Sequence, residues 1–348
     1  MRRGARSGLF TIVAVHSTAR GPALGGCRMW YYDDSRRAVR DALRLSRAMT
    51  FKSAVAGLPL GGGKGVIMAP APDGPARRGL RADALRDFGD TVDQLGGSYV
   101  TAEDVGTSSR DMETIATTTS HVTGLTRARG GSGDPSPWTA LGVEAAIAVC
   151  CERVFGSTSL AGRTIAVAGL GNVGARVATG CARAGATLLV TDINEGKRAF
   201  ADKLGARWIA PEDALAAAVD VLVPCALGGL LDHDAVARLQ APIVAGAANN
   251  QLAEDDIAGL LALRGVLWAP DFVVNAGGII NIAVELEPAG YDPRRARTRV
   301  RGIADTLRRI FDDADAGGVT PLDAAMALAR ERVAGAGATG PPVDELHR

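Results

Sequence analysis

The sequence predicts two α/β domains, the second built on a doubly wound parallel sheet. Three observations carry that expectation. The chain has 348 residues, more than one ordinary core accommodates. The stretch GGSGDPSPW, residues 130–138, gathers Gly, Ser and Pro between two patterned regions and marks a boundary. Beyond it, apolar runs alternate with helical patterns, the order a parallel sheet with crossover helices requires. The expected limits are 1–135 for the first domain and 136–302 for the second, with helices over about 303–348 packing back on the first.

The elements follow in order. Residues 7–18, SGLFTIVAVHST, are apolar and β-branched and read as a strand. From Ser35 to Met49, Ala38, Ala42, Leu45 and Met49 recur at helical spacing. LPLGGGKGVIM reads as a Gly-rich turn running into a short strand over Val66–Met68. Asp83 to Leu95 is an amphipathic helix with Leu85, Phe88, Val92 and Leu95 on one face. GSYVTAEDVGT is a strand ending in a polar turn. After the boundary comes a helix from about Thr139 to Val154, then the strands TIAVAGL, TLLVTD, VDVLVP, PIVAGA and GVLWAP with helices between them. Ile303–Val333 is helical with a break at Gly317–Gly318, and an Ala/Gly/Pro-rich tail closes the chain.

Composition narrows the function. Hydrophobic residues make up 47% and charged residues 22%, a globular balance. A net charge of +1 suggests neither a nucleic-acid nor a membrane-surface partner. No apolar run has the length of a membrane span, and the basic start lacks a signal-peptide core, so a cytoplasmic setting is expected. The five cysteines form no CxxC pair, and the four histidines show no HxxxH or HExxH spacing. Reduced thiols and no metal site are expected.

Gly169-Leu170-Gly171-Asn172-Val173-Gly174 fits GxGxxG, a weak pattern alone. Here it follows the strand Thr164–Ala168 and opens a helix, and Asp192 ends the next strand 18 residues past Gly174. That context predicts a dinucleotide site. Gly169 allows the tight turn, Gly171 admits a pyrophosphate at the helix N-terminus, and Gly174 permits close packing. Asp192 would accept bonds from ribose hydroxyls and repel a 2′-phosphate, which points to NAD.

Lysine occurs only at 52, 64, 197 and 203, four of 39 basic residues. A chain that otherwise uses Arg keeps an amine where an amine is needed, since only an amine readily loses its proton when desolvated. Lys64, within GGGKG, is hemmed in by backbone, and burial there would make it a base. Asp104, at a strand end, could exchange protons with a nearby amine. Other readings stay open on spacing alone. GGGKG could be a phosphate-holding turn, although it lacks the Ser/Thr of a P-loop. Lys52 could be a snorkelling surface residue, and Asp104 a helix cap.

GPALGGCRMW, DALRLSRAMTFKSAVAGLPLGGGKGVI, TAEDVGT, SGDPSPWTALGV, AGLGNVG, VTDIN, PCALGG, AGAANNQL and APDFVVNAGGIIN occur in that order. Together they resemble the leucine/valine/phenylalanine branch of the glutamate dehydrogenase superfamily, over about residues 7–296. The resemblance implies an N-terminal α/β substrate and catalytic domain that also oligomerises, and a C-terminal Rossmann-type doubly wound NAD-binding domain. It implies Lys64 as the catalytic lysine, Asp104 as the aspartate working with it, and Lys52 as the partner of the substrate carboxylate. Gly25 and Gly26 would offer backbone at that carboxylate, with Arg28 beside the cofactor. Residues 169–174, Ile193, Thr139, Cys225, Ala226 and Ala248 would line the NAD site. Asn249 and Asn275 would lie near the nicotinamide and the substrate amine. Leu24, Ala102, Ile279 and Ile282 would wall the side-chain pocket.

The activity so implied is reversible oxidative deamination of an apolar, branched-chain L-amino acid to its 2-oxo acid, ammonium and NADH, by a homo-oligomer. A phenylalanine- or glutamate-preferring dehydrogenase and a catalytically dead NAD-binding regulator are the alternatives. Leu24 stands where glutamate-specific relatives carry a lysine, and Lys64, Lys52 and Asp104 are all present.

Overall fold

The computed structural model describes residues 1–71 and 79–336. They fall into two compact units: Met1–Asp134 with Ile282–Pro293 and the described residues from Ala329, and Pro135–Asn281 with Arg294–Leu328.

The first unit contains β1 (Arg2–Arg3), β2 (Phe10–Ser17), β3 (Ala23–Tyr31), α1 (Ser35–Val55), β4 (Gly61–Ala69), α2 (Leu80–Asp93), β5 (Tyr99–Glu103) and α3 (Ser109–Ile115). The sheet order is β1-β2-β4-β3-β5. β3 runs parallel to both β4 and β5, while β2 is antiparallel to β4. Helices cover both faces, as parallel strands demand. Ala38 and Ala42 of α1 pack on Ile12, Ala14 and Val66. On the other face Leu85, Phe88 and Val92 of α2, with Met112 and Ile115 of α3, pack on Cys27, Ile67 and Tyr99.

Two expectations are corrected here. GGGKG is not a turn but the start of β4, inside the sheet. Its glycines are there because neighbours crowd both faces. A Cβ at Gly62 would lie 2.0 Å from the Thr50 nitrogen, and one at Gly65 would lie 2.3 Å from Cζ of Phe88. The helix expected over Ser35–Met49 runs on to Val55 along a buried seam of Ser46, Thr50, Ser53 and Ala54, so Lys52 sits on its last turn.

The second unit contains α4 (Ser136–Phe155), β6 (Thr164–Ala168), α5 (Gly174–Arg183), β7 (Thr187–Thr191), α6 (Arg198–Lys203), β8 (Arg207–Trp208), β9 (Val221–Pro224), α7 (His233–Arg238), β10 (Ile243–Val244), α8 (Ile257–Leu263), β11 (Leu267–Trp268) and α9 (Asp271–Val274). The chain then continues through α10 (Gly277–Ala283), α11 (Pro293–Arg301), α12 (Ile303–Gly317) and α13 (Pro321–Ala336). The strands are all parallel in the order β11-β10-β9-β6-β7-β8. The order reverses beside β6, so the loop after β6 opens at the switch point of the sheet, where such folds bind ligands.

The return of the C-terminal helices also needs correction. α12 belongs to the second unit, and only the residues from Ala329 group with the first. Ile303, Leu307, Ile310, Phe311 and Ala314 form the buried stripe of α12. Gly142 of α4 admits it closely, since a Cβ there would lie 2.8 Å from Cδ1 of Ile303. Arg153 of α4 also pairs with Asp312 and Asp315. The break at Gly317–Gly318 is a left-handed cap, with Gly318 at φ 60°. The Ala/Gly/Pro-rich tail lies outside the described residues.

Candidate active site

Parallel pairing puts Leu24, Gly26 and Arg28 of β3 on one face, flanked by Ala102 and Asp104 on the β5 side, because Gly26 stands opposite Ala102. β4 pairs so that Leu24 faces Gly62 and Cys27 faces Gly65, which brings Lys64 beside Gly26. A side chain at Gly26 would collide with Asp104, at 2.7 Å from its Cβ. Glycine there is what lets the carboxylate cross to Lys64.

Lys64 is 4% exposed, and its Nζ lies 2.8 Å from Oδ2 of Asp104. Nε of Arg28 donates to the same oxygen at 3.0 Å. Arg28 also donates to Oδ2 of Asp41 at 2.8 Å, and Asp41 accepts from Tyr32 and Arg44. Two cations thus converge on Oδ2 of Asp104. Burial pulls the Lys64 amine below its ordinary value; Asp104 opposes this and Arg28 adds to it. Burial pushes Asp104 up, but Lys64 and Arg28 outweigh it and hold the carboxyl below the usual range. The arrangement is a carboxylate beside an amine that gives up its proton more readily than a solvated lysine.

The turn after β5 is fixed by Thr107, whose hydroxyl accepts from Asp104 N at 2.9 Å and donates to Cys27 O at 2.8 Å. Lys52 is half-buried on the α1 turn that Gly62 admits against β4. Gly25 gives its carbonyl to the Tyr99 hydroxyl at 2.7 Å. Arg28, expected beside the cofactor, is engaged here by two carboxylates of the first unit. Its clamp on Asp104, the Asp41 behind it and Thr107 were missed in the sequence. An Arg two residues past the Gly25–Gly26 pair and an Asp on the buried side of α1 were the available signals.

In the second unit the 169–174 loop has the geometry its sequence predicts. Gly169 has φ 104°, closed to most side chains, and its N–H donates to Thr191 O at 2.8 Å. A Cβ at Gly174 would lie 1.9 Å from Gly169 O, whereas one at Gly171 would meet nothing within 4 Å. Asp192 directly follows β7. Its Oδ2 accepts from Leu170 N at 2.7 Å and its Oδ1 from Asn194 N at 2.8 Å. Cys225 and Ala226 lie against Gly169, and Ala248 N donates to Pro224 O at 2.9 Å. Asn275 Nδ2 donates to Asn249 Oδ1 at 2.8 Å. Thr139 packs against Gly278, Ile193 is exposed, and Ile279 is buried on α10. Open space over Gly171, an exposed Gly171–Asn172 just before the helix and a carboxylate at the next strand end fit a dinucleotide.

A dinucleotide loop in one unit and a buried amine–carboxylate pair in the other are the equipment of a dinucleotide-dependent oxidoreductase. Two family models match the chain. The dimerisation-domain model of the Glu/Leu/Phe/Val dehydrogenases covers residues 1–121, and the Glutamate/Leucine/Phenylalanine/Valine dehydrogenase model covers residues 189–339. The chain belongs to this family of amino-acid dehydrogenases. It is 44% identical to leucine dehydrogenase of Bacillus subtilis (strain 168) over 94% of its own length and 88% of that protein's. It is 42% identical to valine dehydrogenase of Streptomyces virginiae over 95% and 91% of the two chains. The crystal structure of L-tryptophan dehydrogenase from Nostoc punctiforme superposes with a TM-score of 0.82, at 38% identity over 96% of this chain and 94% of that one. Among the described residues no helix is long and apolar enough to cross a membrane.

Proposed function

We propose that the protein oxidises a branched-chain L-amino acid with NAD, releasing the 2-oxo acid and ammonium, and runs the reverse amination. The observation that carries this reading is the buried Lys64–Asp104 pair. NAD, when bound, accepts the α-hydrogen as hydride. The Lys52 ammonium holds the substrate carboxylate through a charge-assisted bond. Neutral Lys64 takes a proton from the water that attacks the iminium carbon. Asp104 passes protons as the carbinolamine collapses to ketone and ammonium. Arg28 and Asp41 hold that carboxylate in place.

Asp192 supports NAD over NADP, because a 2′-phosphate would meet like charge at the ribose. Leu24, Ala102 and Ile282 are buried and apolar, so a charged substrate side chain would lose water without gaining a partner. The methyl of Ala102 and the branched Ile282 leave room for valine, leucine or isoleucine rather than an aromatic ring. The first family model is a dimerisation domain, which supports self-association through the first unit. NADH absorbance with valine, leucine, isoleucine, phenylalanine, tryptophan and glutamate tests the reading. The branched-chain group is expected to have the highest kcat/KM, and a clear lead for glutamate or an aromatic substrate overturns the pocket assignment.

A further inference from the structure

Glu285 lies in the 282–293 segment, which joins the first unit from far along the chain. Its Oε1 accepts from Ser132 N at 2.6 Å and Gly124 N at 3.1 Å. Its Oε2 accepts from the Thr123 hydroxyl at 2.8 Å and again from Gly124 N at 3.0 Å. Three donors from two points of one loop thus converge on a single side chain. An amide in its place would turn an N–H₂ toward a donor and lose one side of this set.

The partners lead to the substrate pocket. Thr123 N donates to Thr101 O at 2.8 Å, and Thr101 N donates to His121 O at 3.0 Å, so this loop edge is stitched to β5. Thr101 precedes Ala102, which pairs with Gly26 on the face that carries Lys64 and Asp104. The Thr123 hydroxyl is also 3.4 Å from the carbonyl of Ile282. A hydroxyl has one proton, and the shorter contact assigns it to Glu285. Glu285 itself sits one 3₁₀ turn after Ile282, within Val284–Leu286. The carboxylate therefore ties the Ile282 backbone to the strand that carries Ala102.

We propose that Glu285 is a positioning residue that sets the width of the substrate side-chain pocket by holding the Ile282 backbone to the β5 edge that carries Ala102. The proposal rests on the amino-acid dehydrogenase reading above. Discrimination between side chains differing by a methylene or two is worth about 10- to 200-fold, so a small retreat of one wall is measurable. Loosening the wall penalises small branched substrates, which lose contact, more than aromatic ones.

The test is kcat and KM for leucine, valine and phenylalanine, with NADH affinity and Tm, in wild type, Glu285→Gln and Thr123→Val. Glu285→Gln is expected to lower kcat/KM for leucine and valine about 10-fold, mainly through KM, and to change phenylalanine less than about threefold. NADH affinity stays the same. Thr123→Val, which removes only the hydroxyl, shifts the ratio in the same direction by less. An equal fall for all three substrates, or unchanged ratios in both variants, overturns the proposal. A wild type that forms no NADH from any amino acid overturns the functional reading and the proposal with it, a result distinguishable from the other two.

Discussion

Two cations share one oxygen of Asp104, and that convergence organises the chemistry at the scale of single residues. Lys64→Ala removes the base and leaves β4 in place. Turnover is expected to fall about 10²- to 10⁴-fold, and retention of more than about a tenth of wild-type kcat would remove Lys64 from the mechanism. The pH profile gives a second test. Oxidative deamination needs neutral Lys64, so the rate rises as pH climbs through its pKa. Burial, with Arg28 adding, puts that limb below the ordinary lysine value of 10.5. Arg28→Gln takes away a nearby positive charge, which makes the ammonium easier to keep, and the limb should move to higher pH. The same change removes one cation that holds Asp104 down, so its carboxyl titrates higher as well. A limb that stays put or moves down contradicts the role given to Arg28.

At the scale of elements, β4 is where glycine decides the outcome. Gly62 touches the α1 turn that bears Lys52, and the nearest atom is backbone, which cannot step aside as a side chain could. Gly62→Ala is expected to destabilise the protein by about 1–3 kcal/mol through overpacking and to raise KM for the amino acid by displacing that turn. Thermal unfolding and substrate titration check it, and an unchanged Tm would mean that α1 is not seated as described. The same strand shows where sequence reasoning reached its limit. The alternating strands of the second unit, the 169–174 loop and the helix over residues 35–49 were legible, because apolar periodicity and one glycine pattern carry them. GGGKG read as a turn because local propensity counts glycine against a strand. The crowding by Thr50, Tyr99 and Phe88 that requires those glycines comes from residues remote in sequence. For the same reason Lys64 and Asp104 could be singled out by chemistry, whereas the clamp of Arg28 on Asp104, with Asp41 behind it, and the role of Glu285 emerge only once their remote partners are in place. The placement of α12 failed differently. Its stripe predicts a buried helix but not which surface buries it.

For the whole molecule, the two sets of residues occupy different units of the chain, and their defects should separate in measurement. Gly171 faces open space, lies outside the left-handed region and sits in the dinucleotide loop. Gly171→Val therefore adds volume where the pyrophosphate would lie without displacing any protein atom. It is expected to weaken NADH binding at least about 10-fold while leaving Tm near the wild-type value, because no buried contact is disturbed. Lys64→Ala should do the reverse, lowering turnover about 10²- to 10⁴-fold and leaving NADH affinity unchanged, since its neighbours are Asp104 and the strands of the first unit. Titration of NADH fluorescence into both variants, alongside kcat for the preferred amino acid, makes the comparison. If Lys64→Ala weakens NADH as much as Gly171→Val does, Lys64 acts on the cofactor and the division of labour between a chemical unit and a dinucleotide unit is wrong.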